Sequence, residues 1–311
     1  MFSIANGLDY IDLQFLGVPR VIATAVIQGS GGVALVDPGP SSALAGLEAG
    51  LARAGLALGD VTDILLTHIH LDHAGATGSL VRENPRITTH VHEFGARHLI
   101  DPKKLIDSAT RLYGDQMERL WGEFLAVPAG SVHTLVGGER IHAAGRVFDV
   151  AYTPGHASHH VSFFDASSGV AFVGDTAGVR IGSSSFLMPP TPPPDIDLAA
   201  WRRSVELILS WRPETLFLTH FGPSGDPDAH MAKLLDRLDR HANLVRDAMT
   251  PERTEAQQRE VFERQVRSEL QQILGEEDAR SYELAVPLDH CFLGLARYWR
   301  KREALDAGRS S

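Results

Sequence analysis

The segment Thr67-His68-Ile69-His70-Leu71-Asp72-His73 constrains this chain more than any other stretch. It sets three histidines and an aspartate within six positions, at the end of the apolar run Asp63–Thr67, which reads as a short buried strand. In extended backbone, residues two apart point to the same side. His68 and His70 can therefore converge on one ion, while Asp72 and His73, past the bend, can serve a second ion nearby. Imidazole and carboxylate are common ligands for zinc and also suit iron and manganese. A lone histidine on an apolar strand is usually structural. A cluster of this density at a strand mouth is not explained by packing.

Four further apolar runs each end in a residue able to bind metal. They are Asp37 in Val36-Asp37-Pro38-Gly39, His156 in Thr153-Pro154-Gly155-His156, Asp175 in Val173-Gly174-Asp175-Thr176 and His220 in Leu218-Thr219-His220-Phe221. Each alone is a common turn. Taken together and in order, they can complete and support a metal site. The single cysteine, Cys291, excludes an intrachain disulfide and a multi-thiolate site, which fits a reducing compartment.

The chain has 311 residues and a formal net charge of −10, so a broad phosphate-backbone footprint is not expected and nucleic acid is a poor candidate partner. The basic run Arg297–Arg302 reads as the solvated end of the last helix. Asp9 and Asp12 fall early, with no charged leader before an apolar stretch, so a signal peptide is not supported. No apolar run approaches the roughly 20 residues needed to cross a bilayer. A soluble cytoplasmic protein acting on a small molecule is expected; a homodimer stays open.

The pattern along the chain predicts an α/β body. Strands are expected at Val21–Ile27 and Val33–Asp37, joined by Gly29-Ser30-Gly31-Gly32, and at Asp63–Thr67, Ile87–Val91, Val132–Leu135, Arg146–Thr153, His160–Asp165, Val170–Val173 and Leu216–Thr219. Helices are expected at Ser41–Ala54, Ala74–Glu83, His92–Phe124 and Asp197–Trp211. The run Pro189–Pro194 reads as a stiff linker or lid-like loop. Beyond Asp226 only helical periodicity remains, with breaks near Pro251, Gly275 and Pro287. The expected organisation is a body at 1–225 and a helical extension at 226–311. The extension's amphipathic stretches are too apolar to stand alone and are expected to pack near the site, with the region around Leu105–Phe124.

The order Asp, His-x-His-x-Asp-His, His, Asp, His over residues 20–222 resembles the metallo-β-lactamase superfamily. The resemblance implies an αββα sandwich with the site at one edge between two sheets. It implies that His68, His70 and His156 hold one metal, that Asp72, His73 and His220 hold a second, and that Asp175 bridges. Asp37 matches the acidic residue that supports the ligands from behind, and His159 or His160 can donate to a supporting carboxylate or to substrate. The implied cofactor is two divalent ions per chain, zinc foremost, with iron or manganese as alternatives. A hydroxide shared by two cations exists at neutral pH because the pKa of bound water falls from 15.7 towards roughly 7. Asp72 would orient it or shuttle a proton.

Within the superfamily, His70 stands where flavodiiron-type oxygen reductases have Glu, which favours hydrolysis over di-iron redox chemistry. Ile69 and His159 depart from the glyoxalase II pattern, and Leu71-Asp72-His73-Ala74-Gly75 is similar to lactonases. Hydrolysis of a small ester, lactone or thioester is the first expectation. A phosphodiesterase or nuclease, and a di-iron redox protein, are the alternatives.

Overall fold

The computed structural model describes residues 1–181 and 186–309; the last two positions of the expected extension, 310 and 311, lie outside the described residues. One sheet runs β1 (Phe2–Ala5), β2 (Leu8–Asp12), β3 (Ala23–Gly29), β4 (Gly32–Val36), β5 (Val61–Leu65), β6 (Thr88–His92) and β7 (Val132–Leu135), neighbours in chain order. It is antiparallel up to β4 and parallel from there on. A second sheet contains β8 (Arg140–Ala143), β9 (Arg146–Tyr152), β10 (Val161–Asp165), β11 (Val170–Phe172), β12 (Thr215–Leu218) and β13 (Gly222–Ser224), again side by side in sequence order. Only β11 and β12 pair in parallel there.

The helices are α1 (Leu44–Arg53), α2 (Leu71–Ala74), α3 (Thr77–Glu83), α4 (Glu93–Ile100), α5 (Lys103–Tyr113), α6 (Met117–Trp121) and α7 (Leu198–Ser210), then α8 (Pro227–Ala248), α9 (Glu255–Ile273), α10 (Glu276–Ala285) and α11 (Leu288–Arg309). None among the described residues is long and apolar enough to cross a membrane.

Period-two alternation along the strands separates three apolar layers. Ala23, Ala25 and Ile27 of β3 and Val170 and Phe172 of β11 face one another between the sheets. The alternate residues face outward: Val26, with Val33 and Leu35 of β4, meets α1, α3 and α4 through Leu47, Leu80 and Leu99. On the far side, Ala171 of β11 and Leu216 and Leu218 of β12 meet α7 and the helices after it through Trp201, Leu234 and Phe292. The arrangement is the αββα sandwich with a helical C-terminal region that the sequence suggested.

Differences from the expected elements have local causes. β1, β2, β8 and β13 were not expected. β2 is Leu-Asp-Tyr-Ile-Asp, with two carboxylates, and β13 is Gly-Pro-Ser, with no apolar signal. The helix expected at Ala74–Glu83 is two helices, α2 and α3. Gly75, between them, packs so close to the Pro40 backbone that an added Cβ would lie 2.9 Å from its Cα. The stretch His92–Phe124 is broken into α4, α5 and α6, with Gly114 and Gly122 at positive φ after the second and third.

The C-terminal helices form one apolar core with α7 and the outer face of the second sheet. Phe262, Tyr282 and Phe292 are fully buried in it. His241 of α8 is buried there too, edge-on to Phe262, with no hydrogen-bond partner among the described residues at either ring nitrogen. Burial, helped by the nearby Arg237 and Arg240 charges, pushes its pKa down to about 3. An unfolded histidine takes its proton near pH 6.5. Between those values the unfolded chain binds more protons, so stability falls as pH drops from 6.5 towards 3. His241→Leu should flatten that part of the profile. Relative to its own value at pH 7.5, the variant should retain about 2 kcal/mol more at pH 5 than the native chain does. Urea unfolding at both pH values measures it; equal slopes would show that His241 takes its proton in the folded state.

Candidate metal centre

Every residue singled out as a metal ligand follows the C-terminal end of a strand. His68, His70, Asp72 and His73 follow β5, His156 follows β9, Asp175 follows β11 and His220 follows β12. β9, β11 and β12 run in the same direction, because two antiparallel steps and one parallel step relate them. Their ends therefore open on one edge, where β4 and β5 of the first sheet also end. The loops that leave these strands are tight. Gly174 has φ +45°, and a Cβ on it would lie 2.4 Å from the Thr67 hydroxyl, so the turn that aims Asp175 depends on glycine.

The seven side chains meet in two groups that share that edge. His68, His70 and His156 converge: His68 Nε2 lies 3.0 Å and His156 Nε2 2.9 Å from His70 Nδ1. Asp72, His73 and His220 form the second group, with His220 Nε2 3.2 Å and His73 Nε2 3.7 Å from Asp72 Oδ2. Asp175 stands between the groups. Its Oδ2 is 3.3 Å from His156 Nε2, and its Oδ1 is 3.3 Å from His73 Nε2 and 3.7 Å from His220 Nε2.

The second row of contacts fixes which nitrogen of each ring carries the proton. His156 Nδ1 donates to the Pro190 carbonyl at 2.8 Å and His220 Nδ1 to the Val21 carbonyl at 2.7 Å. His73 Nδ1 donates to Asp37 Oδ2 at 2.8 Å. Thr67 donates its hydroxyl to Asp37 at 2.7 Å, so its oxygen is left to accept from His68 Nδ1 at 3.1 Å. In all four rings, Nε2 then presents a lone pair to the centre when the ring is neutral. Asp37 is fully buried at φ +49°, and takes further bonds from the Thr67 backbone N–H and the Thr219 hydroxyl.

This donor set fits divalent cations. The His68 and His156 lone pairs both aim at His70 Nδ1, which can offer one proton at most. His73 Nε2 and Asp175 Oδ1, buried 3.3 Å apart, have no well-aligned hydrogen-bond partner among the described residues. A polar atom left so in the interior costs free energy that a cation in the cradle would recover. Against the effect of burial, Asp175, Asp72 and Asp37 push the His73 pKa well above the usual range, so the ring carries a proton where a cation would sit. Burial, reinforced by the neighbouring rings, holds His68 well below the usual histidine range and brings His70 to about 4, so both rings are neutral as ligands must be. Burial alone would raise Asp72, but His73 and His220 overcome it and hold the carboxyl near 2, ionised.

Of the two histidines after His156, His160 is fully buried. Its Nδ1 meets the Thr153 hydroxyl at 2.9 Å, and its hydrogen bonds reach hydroxyls rather than a carboxylate. His159 lines a cavity of about 450 Å³ beside the centre. Other walls of this cavity come from α4, α5, the Pro190–Asp195 segment, the end of α10 and the start of α11. Tyr113 of α5 meets His290 of α11 there, rings edge to face at 4.9 Å. Sequence reasoning passed over Thr67 and Thr219, although each directly precedes a marked histidine, and over Tyr113 and His290, whose nearness to the centre follows only from the fold.

A family profile described as the Metallo-beta-lactamase superfamily matches residues 17–220. The chain is 26% identical over 220 residues to the metallo-beta-lactamase fold-containing protein ST1585 of Sulfurisphaera tokodaii, covering 70% of this chain and 79% of that one. It is 31% identical over 117 residues to the hydroxyacylglutathione hydrolase of a Synechococcus species, but that match spans 38% of this chain and 35% of the hydrolase. Among solved structures, a metallo-beta-lactamase family protein from Thermus thermophilus superposes with a TM-score of 0.69 at 25% identity, covering 97% of this chain and 96% of the other.

Proposed function

The chain belongs to the metallo-beta-lactamase superfamily, and on that premise we propose that it is a dinuclear metal-dependent hydrolase of ester, thioester or lactone bonds in small molecules. The observation that carries the two-metal part is Asp175, which turns one oxygen to each ligand group across contacts of 3.3 Å. His68, His70 and His156 would hold one ion and Asp72, His73 and His220 the other. Bound divalent cations supply an activated water at neutral pH and polarise the substrate's acyl oxygen.

The chain's own residues supply orientation. Asp37 locks the His73 ring through Nδ1, and the Val21 and Pro190 carbonyls do the same for His220 and His156. Asp72, ionised and partly exposed at the cavity floor, would accept a hydrogen bond from a water held at the centre and so orient it toward substrate. A carboxyl held near pKa 2 is a weak base, so positioning is its larger role. Tyr113 keeps its proton, because burial and the Asp72 and Asp289 charges push its pKa up, and it offers a donor on the cavity wall. The partial likeness to a hydroxyacylglutathione hydrolase supports thioesters within this class, and the mixed polar and apolar cavity suits a small acyl compound.

The test is a panel of chromogenic esters, thioesters, lactones and phosphodiesters, assayed on protein whose metal content is measured in the same sample. Turnover of the acyl compounds is expected with close to two divalent ions per chain, together with complete loss on chelation. A one-to-one ratio that persists at saturating metal would overturn the dinuclear reading. Turnover confined to phosphodiesters would overturn the acyl reading.

A further inference from the structure

The cavity beside the centre has unlike ends. Its floor is His70, Asp72, His156 and Asp175, and its rim carries Arg97 at the end of α4 and Lys104 and Arg111 on α5. Lys104 and Arg111, both exposed, are seven residues apart, with the half-buried Ser108 between them at helical spacing, so the three share one face of α5. Among the described residues, none of the three cations has a carboxylate at ion-pair distance. The adjacent Lys103, by contrast, pairs with Asp107 at 2.9 Å.

Arg97 spends its Nε on the His98 ring at 3.2 Å. That ring is held below the usual range by burial and then by the charges of Arg97 and Lys104, with Asp101 opposing, so both cations lie near it. Asp195, a carboxylate that lines the same cavity, accepts hydrogen bonds from the Ser158 hydroxyl and backbone N–H. Uncompensated cations at the mouth of a deep cavity are not what a chain of net charge −10 would give by default. Apolar side chains of Ile69, Leu105, Leu112, Pro192, Pro193 and Val286 make up part of the same lining.

We propose that Arg97, Lys104 and Arg111 form an anion subsite, and that the substrate is an acyl compound whose end remote from the scissile bond bears a carboxylate or phosphate. The apolar part of the lining takes the spacer and the rim takes the charge. Guanidinium and ammonium groups bind such oxyanions through charge-assisted hydrogen bonds. The convergent field of the rim also raises the local concentration of anionic substrates. The chemistry at the floor rests on the acyl-hydrolase reading; the subsite itself does not.

Two measurements on the metal-loaded full chain test it. In the first, hydrolysis of the 4-nitrophenyl hemiester of suberic acid is compared with that of 4-nitrophenyl octanoate, which has the same spacer without the distal charge. A preference of about tenfold in kcat/KM for the hemiester is expected, shrinking as salt is raised past the point where the Debye length is roughly 8 Å. In the variant Arg97→Gln/Lys104→Gln/Arg111→Gln the ratio should fall towards one.

In the second, calorimetry compares binding of suberate, 8-phosphonooctanoate and octanoate. The two distally charged ligands should bind about tenfold more tightly than octanoate, and the triple variant should lose the difference. The stronger of the two identifies the preferred oxyanion. If no acyl bond is hydrolysed but the calorimetric difference is present and lost in the variant, the subsite stands and the acyl-hydrolase reading falls. Equal binding of all three ligands by the native chain, or a difference that survives in the variant, overturns the subsite. The three residues are exposed, so the variant should keep the native melting temperature, which controls for folding.

Discussion

Asp175→Ala is expected to empty at least one metal position and to remove nearly all hydrolysis. The substitution deletes the carboxylate that faces His156 on one side and His73 and His220 on the other. Two cations held close together repel, and a negative charge between them offsets that repulsion. Without it the second position, built on Asp72, His73 and His220, should empty first, because Asp175 faces two of its three side chains and one side chain of the other position. Asp37→Ala provides the contrast. It leaves every direct ligand in place but strips His73 Nδ1, Thr67 and Thr219 of their shared acceptor. The expected loss is the roughly 10–100-fold typical of such supporting groups, with metal retained at high supply. Buried donors without an acceptor should also lower its melting temperature. Titration of both variants with zinc or manganese, with activity read at each addition, tests the ordering. Full occupancy and near-normal turnover in Asp175→Ala would show that the bridging role lies elsewhere.

Removal of residues 250–311 should leave a chain that does not fold. The deleted part contributes Phe262, Val266, Leu270, Tyr282, Phe292 and Leu295 to a core that continues into α7 and the second sheet, and all six are fully buried. At about 2 kcal/mol for each large apolar side chain, the loss is on the order of 10 kcal/mol, comparable to the whole stability of a typical domain. The cut would also unpair the backbone of Ile181, whose N–H donates to the Tyr282 hydroxyl at 3.0 Å. Expression of the truncated chain is expected to give aggregated protein with no cooperative melt. A soluble fragment with a sharp transition and full metal content would show instead that the tail is an appendage. This expectation is harsher than the one the sequence suggests. Leucine periodicity announces an apolar helix face, but not how much of the body that face covers.

The same distinction runs through the rest of the chain. Strand ends that carry the site were legible because each pairs an apolar run with a turn and a ligand-capable residue, as in Val173-Gly174-Asp175 and Leu218-Thr219-His220. The central strands were legible for the same reason: both their faces are buried, so their apolar runs are nearly continuous. Four strands at or next to the sheet margins, β1, β2, β8 and β13, were not. β2 and β13 have polar or small residues because one side meets solvent or a loop, and neither leaves a pattern. Hydroxyl partners that act across the fold were not legible either. Thr67 and Thr219 sit beside their histidines yet act on Asp37, which lies 30 and 182 positions away. The rim of Arg97, Lys104 and Arg111 looks, in one dimension, like the solvated face of any surface helix.

The bond from His220 to the Val21 carbonyl joins positions 199 apart in the chain, and it reaches across the seam between the two sheets. The candidate ligands span the same seam, four from the first sheet and three from the second. Ions held there would bind only the closed sandwich, and would strengthen closure by about 2.7 kcal/mol at a free concentration one hundred times Kd. Metal supply would then govern more than turnover. It would set how often the halves part, and so how long each molecule survives where proteases sample opened chains.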